Sequence, residues 1–287
     1  MDKQEIEKKI QELEQAMYQS DFWNDPQSAQ ETIKEIEELK IQLQGGEKYD
    51  TRPAIVSIFA GAGGDDAEDF VKILFEMYRS FADARGYTLT LLDSAENTMG
   101  GFRNISFTLS GPRAYGTLKG ESGVHRLVRK SPFNSKSKRQ TSFALVEVLP
   151  ELPANDFHMN EDELEISFTN SGGAGGQNVN KRETAVRVVH PKTGFSVLAS
   201  QERTQERNRE LALSIMRAKL FKKHQDDEEK RAKGLSISDK VSVEWGNQMR
   251  SYVFDPYQMI KDHEKDIEVR DIKKVLGGDL SDFVDVN

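Results

Sequence analysis

Apolar positions recur along this chain with two different periods, and the changes of period divide it. Ile6, Ile10, Leu13 and Met17 fall at helical spacing, and after Pro26 the spacing resumes with Ile33, Ile36, Leu39, Ile41 and Leu43. Two such stretches, parted by a proline and closed by Gly45-Gly46, predict an antiparallel helical pair or short coiled coil. PAIVSIFAGAGGDDAEDFVKILFEMYRSFADARGY then reads as strand, tight glycine turn and helix, with Val71, Leu74, Phe75, Tyr78 and Phe81 as the buried stripe. Asp65 and Asp66 stand in the first turn of that helix, where carboxylates suit the positive end of its dipole.

The period shortens to two in TLTLLDS, RNISFTLSG and TSFALVEVLPEL, which predict strands on either side of a basic segment. Strands gathered around one helix point to an antiparallel sheet packed on that helix, an α+β layer. A second unit starts near ELEISFTN and continues in TAVRVVHPKTGFSVLASQ, with a turn at Pro191 to Gly194. A helix from about Asn208 to Ala232 follows, with Leu211, Ile215, Ala218 and Leu220 on one side and a highly charged end. VSVEWGNQMRSYVF reads as a further strand region, too short to stand alone, so it is expected to return to the first sheet. KVLGGDLSDFV reads as a small closing helix.

Composition narrows the chemistry. With 287 residues there is room for two or three domains, each with its own core. There are no cysteines, so disulfides and thiolate metal sites are excluded and a reducing cytoplasm is suited. The five histidines are scattered without ligand spacing, and no metal or cofactor is expected. No apolar run approaches the roughly 20 residues of a membrane span, and MDKQEIEKK is no signal peptide.

A net charge of −8 speaks against a nucleic-acid partner until its distribution is seen. Met1 to Lys48 carries 6 basic and 12 acidic residues, and the stretch from Asp255 onward carries 5 and 9. Pro112 to Phe143 carries 8 basic residues and 1 acidic, and Gln177 to Arg209 carries 7 and 3. Two positive middles between acidic ends are the footprint expected for a polyanion, because phosphate answers to the local field.

No self-contained catalytic set is visible. GAGGDD at 61 to 66 lacks the last glycine of a dinucleotide fingerprint, and GESGVH is not a nucleophile elbow, since Val124 takes the final glycine position. Two stretches remain. SGGAGGQNVN spends Gly172, Gly173, Gly175 and Gly176 just before Gln177, and glycine is kept in such numbers either as slack or where the backbone must go where Cβ cannot. HRLVRKSPFNSKSKRQTSF sets basic residues around Pro132, Phe133 and short hydroxyls, the mixture that reads single-stranded RNA, and is expected to be a loop between two strands.

Together these residues resemble one family. SGGAGGQNVNKRETAVRV resembles the GGQ region of bacterial class I peptide chain release factors, and Ser131-Pro132-Phe133 matches the codon-reading tripeptide of the release factor 2 type. GAGGDDAEDF, YGTLKGESGVHRLVRKSPF and WGNQMRSYVF are also similar, and the resemblance runs from about Trp23 to the C-terminus. It implies an α+β protein in four stretches: a shortened N-terminal helical domain at 1–48, a decoding domain at 49–155, an inserted GGQ domain at 156–235, and a segment at 236–287 returning to the decoding superdomain.

The resemblance implies translation termination in the cytoplasm: recognition of UAA and UGA on the ribosome, and hydrolysis of the peptidyl-tRNA ester promoted only there, by a chain that is no stand-alone hydrolase. A GGQ-bearing rescue factor for stalled ribosomes, or a release factor of altered stringency, is the alternative. By similarity, Ser131, Pro132, Phe133, Val128, Gln140, Thr141, Gly63 and Asp66 meet the codon. Gly175, Gly176 and Gln177 serve ester hydrolysis, and Lys181, Arg182, Arg203 and Gln205 contact ribosomal RNA. Gln177 is the expected N5-methylglutamine, made by a glutamine methyltransferase. A monomer is expected, with dependence on release factor 3 lost or reduced by the short N-terminal domain. Three positions depart from the family pattern: Gln140 for a histidine, Asp66 for a glutamate and Asn170 for an arginine.

Overall fold

The computed structural model describes all residues except 1–2, 19–21, 23–25, 44–48, 135–137, 153–156, 158, 170–183, 233–247 and 285–287. Helices α1 (Lys3–Met17) and α2 (Pro26–Leu43) form the expected pair. Proline opens α2, where its missing N–H costs nothing. Ile6, Ile10, Ile36 and Leu39 make the seam, flanked by Leu13, Met17 and Leu43. Lys9–Glu35 at 2.6 Å and Lys40–Glu14 at 2.7 Å tie the polar rim.

The main body is one eight-stranded sheet. Its strands are β1 (Ala54–Ala60), β2 (Thr88–Glu96), β3 (Phe102–Ser110), β4 (Gly123–Lys130), β5 (Arg139–Pro150), and three that follow the second unit: β9 (Arg250–Val253), β10 (Met259–Asp262) and β11 (Ile267–Val269). The order is β11-β10-β9-β4-β5-β1-β3-β2, antiparallel throughout except for β4 beside β9. The return of the C-terminal region to the first sheet, expected from its length, is therefore made by a parallel strand beside β4.

Alternation along β1 builds two faces. Val56 and Ile58 meet helix α3 (Asp65–Arg85) through Phe70, Val71, Leu74, Met77, Tyr78 and Phe81. A short helix, α4 (Ala114–Leu118), precedes β4, and the closing helix is shorter than its sequence pattern: α6 (Ile272–Leu276) stops before Gly277-Gly278. Gly278 takes φ 98°, and a Cβ there would lie 2.4 Å from the Phe81 nitrogen, so only glycine lets this turn reach α3.

Within this core lies a polar cluster. Arg250 donates to both oxygens of Glu121 at 2.6 Å and to Asp262 at 3.0 Å, and its guanidinium lies 4.1 Å from the centre of the Phe283 ring. Tyr78 Oη donates to Glu121 at 3.0 Å. His125 Nε2 lies 3.0 Å from the Glu121 carbonyl, so that nitrogen carries the proton and Nδ1 accepts from Tyr252 Oη at 3.2 Å. Burial, and then the Arg250 charge, push the His125 pKa down to about 4, while the Arg250 ion pair offsets burial and holds Glu121 below the usual carboxylate range.

The second unit is a three-stranded sheet, β6 (Glu165–Thr169), β7 (Ala185–His190) and β8 (Phe195–Ala199), covered by α5 (Gln205–Ala232). The apolar face of α5 is centred on Ala212, Ile215, Met216 and Ala218, with Leu211 and Leu220 at its margin. This layer packs on the other face of the large sheet, where Ile55, Leu92 and Leu149 join its core.

Candidate functional site

The basic segment is not the long loop its composition predicts. Gly123 to Lys130 and Arg139 to Pro150 form a hairpin inside the large sheet, which leaves only residues 131–138 as the connection. Strand propensity of the Lys- and Arg-rich arms is weak, but both arms pair with central strands, and that ladder overrides it. Val128 lies opposite Thr141 and Arg129 opposite Gln140. Gln140 and Thr141 are exposed, whereas Val128 is buried.

Three of the residues singled out from the sequence converge at the hairpin tip. The glycine turn after β1 is bonded to β5: Gly61 N donates to Phe143 O at 2.8 Å, and Phe143 N donates to Ala62 O at 2.9 Å. Gly63 sits at φ 140°, and a Cβ on it would be 2.8 Å from Ser142 Oγ. This close approach places the start of α3 beside the tip. Ser131 Oγ donates to Asp66 at 2.5 Å and accepts from Phe133 N at 3.2 Å. Ser131 is 4% exposed and Asp66 7%, so neither side chain stands free at the surface; each holds the other. Pro132 is exposed and Phe133 half-buried.

Arg129 completes the arrangement, and its role was not legible beforehand. Its guanidinium lies 3.1 Å from Asp66 and 2.7 Å from Asp69, bridging two carboxylates of the first turns of α3. A charge-assisted bond of this kind fixes the carboxylate that Ser131 needs. The only sequence signal was a cluster of acids at a helix start facing a basic strand far along the chain.

The glycine-rich motif lies elsewhere. Gly175, Gly176, Gln177, Lys181, Arg182 and the neighbouring Asn170 fall outside the described residues. Their anchors are described: Thr169 and Ala185 are paired across β6 and β7, so 170–183 joins the ends of one hairpin. Arg203 and Gln205 are exposed at the start of α5. Asn208, fully buried, ties them to the motif's base: its Nδ2 donates to Thr184 O at 2.8 Å and Glu202 O at 3.0 Å, and its Oδ1 accepts from Glu202 N at 2.9 Å. The β4–β5 hairpin and the β6–β7 hairpin thus sit in separate layers. Among the described residues no cluster of acids and histidines could hold a metal.

Known proteins resolve which family uses this pairing of layers. A PCRF domain model matches residues 31–146 and an RF-1 domain model matches residues 153–264. Peptide chain release factor 2 of Clostridium perfringens is 41% identical over 91% of this chain and 74% of its own length. The protein of that name from Listeria innocua is 33% identical over 99% of this chain and 91% of its own. The chain belongs to the peptide chain release factor 2 family. The solved structure of RF2 of Thermus thermophilus matches it with a TM-score of 0.73 at 32% identity, covering 98% of this chain and 93% of that one. As a release factor 2 homologue the chain is a class I translation termination factor, and the mixed α and β architecture expected from the sequence is the family's.

Proposed function

We infer that this protein recognises UAA and UGA in the ribosomal decoding site and promotes hydrolysis of the peptidyl-tRNA ester. The observation that carries this reading is the hairpin tip, where Ser131 is held by Asp66 on a rigid sheet, in the same chain as a glycine-rich hairpin on a different layer. Termination needs two RNA sites to be met by one chain. A rescue factor acting without a codon has no use for the first of them.

On this reading Ser131, Pro132 and Phe133 present the tip to the codon, with Gly63 and Asp66 beneath and Val128, Gln140 and Thr141 along the hairpin. Apolar Val128 places no demand on the third base, so A and G are both accepted. Gln177 has no pKa suited to a general base. It orients water and stabilises developing charge through its backbone N–H, while Gly175 and Gly176 permit the close approach. Lys181, Arg182, Arg203 and Gln205 bind ribosomal RNA, and a glutamine methyltransferase modifies Gln177. The protein works as a cytoplasmic monomer.

Reconstituted termination on UAA, UGA, UAG and sense codons tests the reading. Release is expected at UAA and UGA alone. Efficient release at UAG would remove the codon assignment, and release from ribosomes without a stop codon would favour the rescue function.

A further inference from the structure

Six large apolar or aromatic side chains are exposed among the described residues: Tyr18, Leu91, Met99, Phe168, Leu198 and Tyr257. Single exposed rings are ordinary on a protein surface, so position decides which of them matters. Tyr257, 57% exposed, stands in the turn between β9 and β10. That turn is placed by the one parallel pairing of the large sheet, in which Val128 lies opposite Val253. Phe254 N continues the pairing by donating to Val128 O at 2.8 Å, and Lys130 Nζ lies 3.2 Å from Asp255. β4 and β9 run in the same direction, and β9 ends beside Val128, two residues before β4 does. The residues after Val253 therefore emerge beside Arg129 and Lys130, which lead into the tip at Ser131.

The hairpin beside this turn carries exposed cations, although Asp255 offsets the charge of Lys130. Lys130, with its side chain 65% exposed, lies opposite Arg139, and Lys138 and Arg139 are exposed. The turn that carries the ring is tied at its start to Lys130 and bounded at its end by Met259 of β10, so the ring is presented from a fixed frame. An exposed aromatic side chain held at the end of a rigid sheet, beside a hairpin that carries exposed cations, is an arrangement on which unpaired bases stack; any base serves, because each offers a π face.

We propose that Tyr257 stacks on an unpaired RNA base beside the codon-reading hairpin, adding affinity for the ribosomal complex without reading sequence. The inference rests on the termination reading, which brings this end of the sheet to RNA. Stacking of this kind acts on binding, so it lowers KM and leaves kcat alone. In reconstituted release with the full chain, Tyr257→Ala is expected to raise KM at both UAA and UGA about tenfold with kcat unchanged. Tyr257→Phe keeps the ring and is expected to match the wild type. A benzoylphenylalanine placed at position 257 is expected to cross-link to RNA in the termination complex.

An unchanged KM in Tyr257→Ala, a fall in kcat instead, a Phe variant as poor as Ala, or a cross-link confined to ribosomal protein each overturns the inference alone. Failure of the wild-type chain to release at UAA or UGA overturns the termination reading, and the inference with it. Unfolding midpoints of the variants, expected to equal the wild type's at so exposed a position, separate stacking from loss of fold.

Discussion

At the scale of single residues, the hairpin tip turns on a hydroxyl and a carboxylate far apart in sequence. Ser131 donates its only hydroxyl proton to Asp66, and Arg129 holds that carboxylate in place. A hydrogen bond to a charged group contributes about 1.5–3 kcal/mol. In a double-mutant cycle on urea unfolding, Ser131→Ala and Asp66→Ala are therefore expected to be coupled by about 1.5 kcal/mol or more. Release at UAA and UGA by either single variant is expected to fall about tenfold in kcat/KM, since a freed tip must be ordered on binding. Additive unfolding energies would mean that the pair does not hold the tip. The tripeptide itself was plain in the sequence, and so were the acids at the start of α3. What joins them is a turn whose Gly63 leaves no room for a Cβ beside Ser142. Sequence periodicity carries no trace of such a contact, because it is made between elements rather than along one.

Elements tell a similar story of what patterns do and do not carry. Period-two runs revealed β2, β3 and β5: Phe107 and Val148 face the core around α3, while Leu92 and Leu149 face the second layer. β4 was hidden by its charges, whereas β9 lay in a stretch read as a strand region, and only its partner and its parallel direction were unmarked. What fixes β9 beside β4 is the buried cluster of Arg250, Glu121, Asp262 and His125, and such a cluster reads in sequence as isolated polar residues. Its pH dependence follows from His125. The fold stores the neutral ring, with a pKa pushed down to about 4, while the unfolded chain takes up a proton near its ordinary value of about 6.5. Stability from this group is thus fully present above about 6.5 and is lost as pH falls from there through about 4. Between pH 7 and pH 5 the loss is expected to be about 2 kcal/mol. Urea unfolding of the wild type and of His125→Gln at the two pH values checks it. The variant is expected to be less stable at pH 7 and to lose most of the histidine's share of the slope. An equal slope in both would place the acid sensitivity in other groups.

At the scale of the whole molecule the second unit packs on the large sheet, and the contact between the layers is mixed in character. Ile55, Leu92 and Leu149 of the large sheet join the core under α5, and at the edge of that patch Lys219 of α5 reaches Glu147 of β5 at 2.6 Å and lies 5.5 Å from the centre of the Phe59 ring. Ser200 donates to Asp93 at 3.0 Å across the same boundary. Burial holds the Asp93 pKa above the usual carboxylate value although Ser200 and Asn104 both donate to it, so this contact adds specificity more than stability. Lys219, by contrast, neutralises Glu147 and covers an aromatic face, and it is the residue whose reversal should loosen the docking. Lys219→Glu sets two carboxylates against each other at a partly exposed boundary, a change of about 1 kcal/mol, or roughly fivefold in the undocked share. The chain has no cysteine, so Met99→Cys on the turn after β2 and Glu210→Cys on α5, both at exposed positions, can carry a dye pair without background labelling. Energy transfer in the free protein is expected to show a low-efficiency population about fivefold larger for Lys219→Glu than for the parent. Equal populations would show that the apolar patch alone holds the layers, with Lys219 a bystander on its rim.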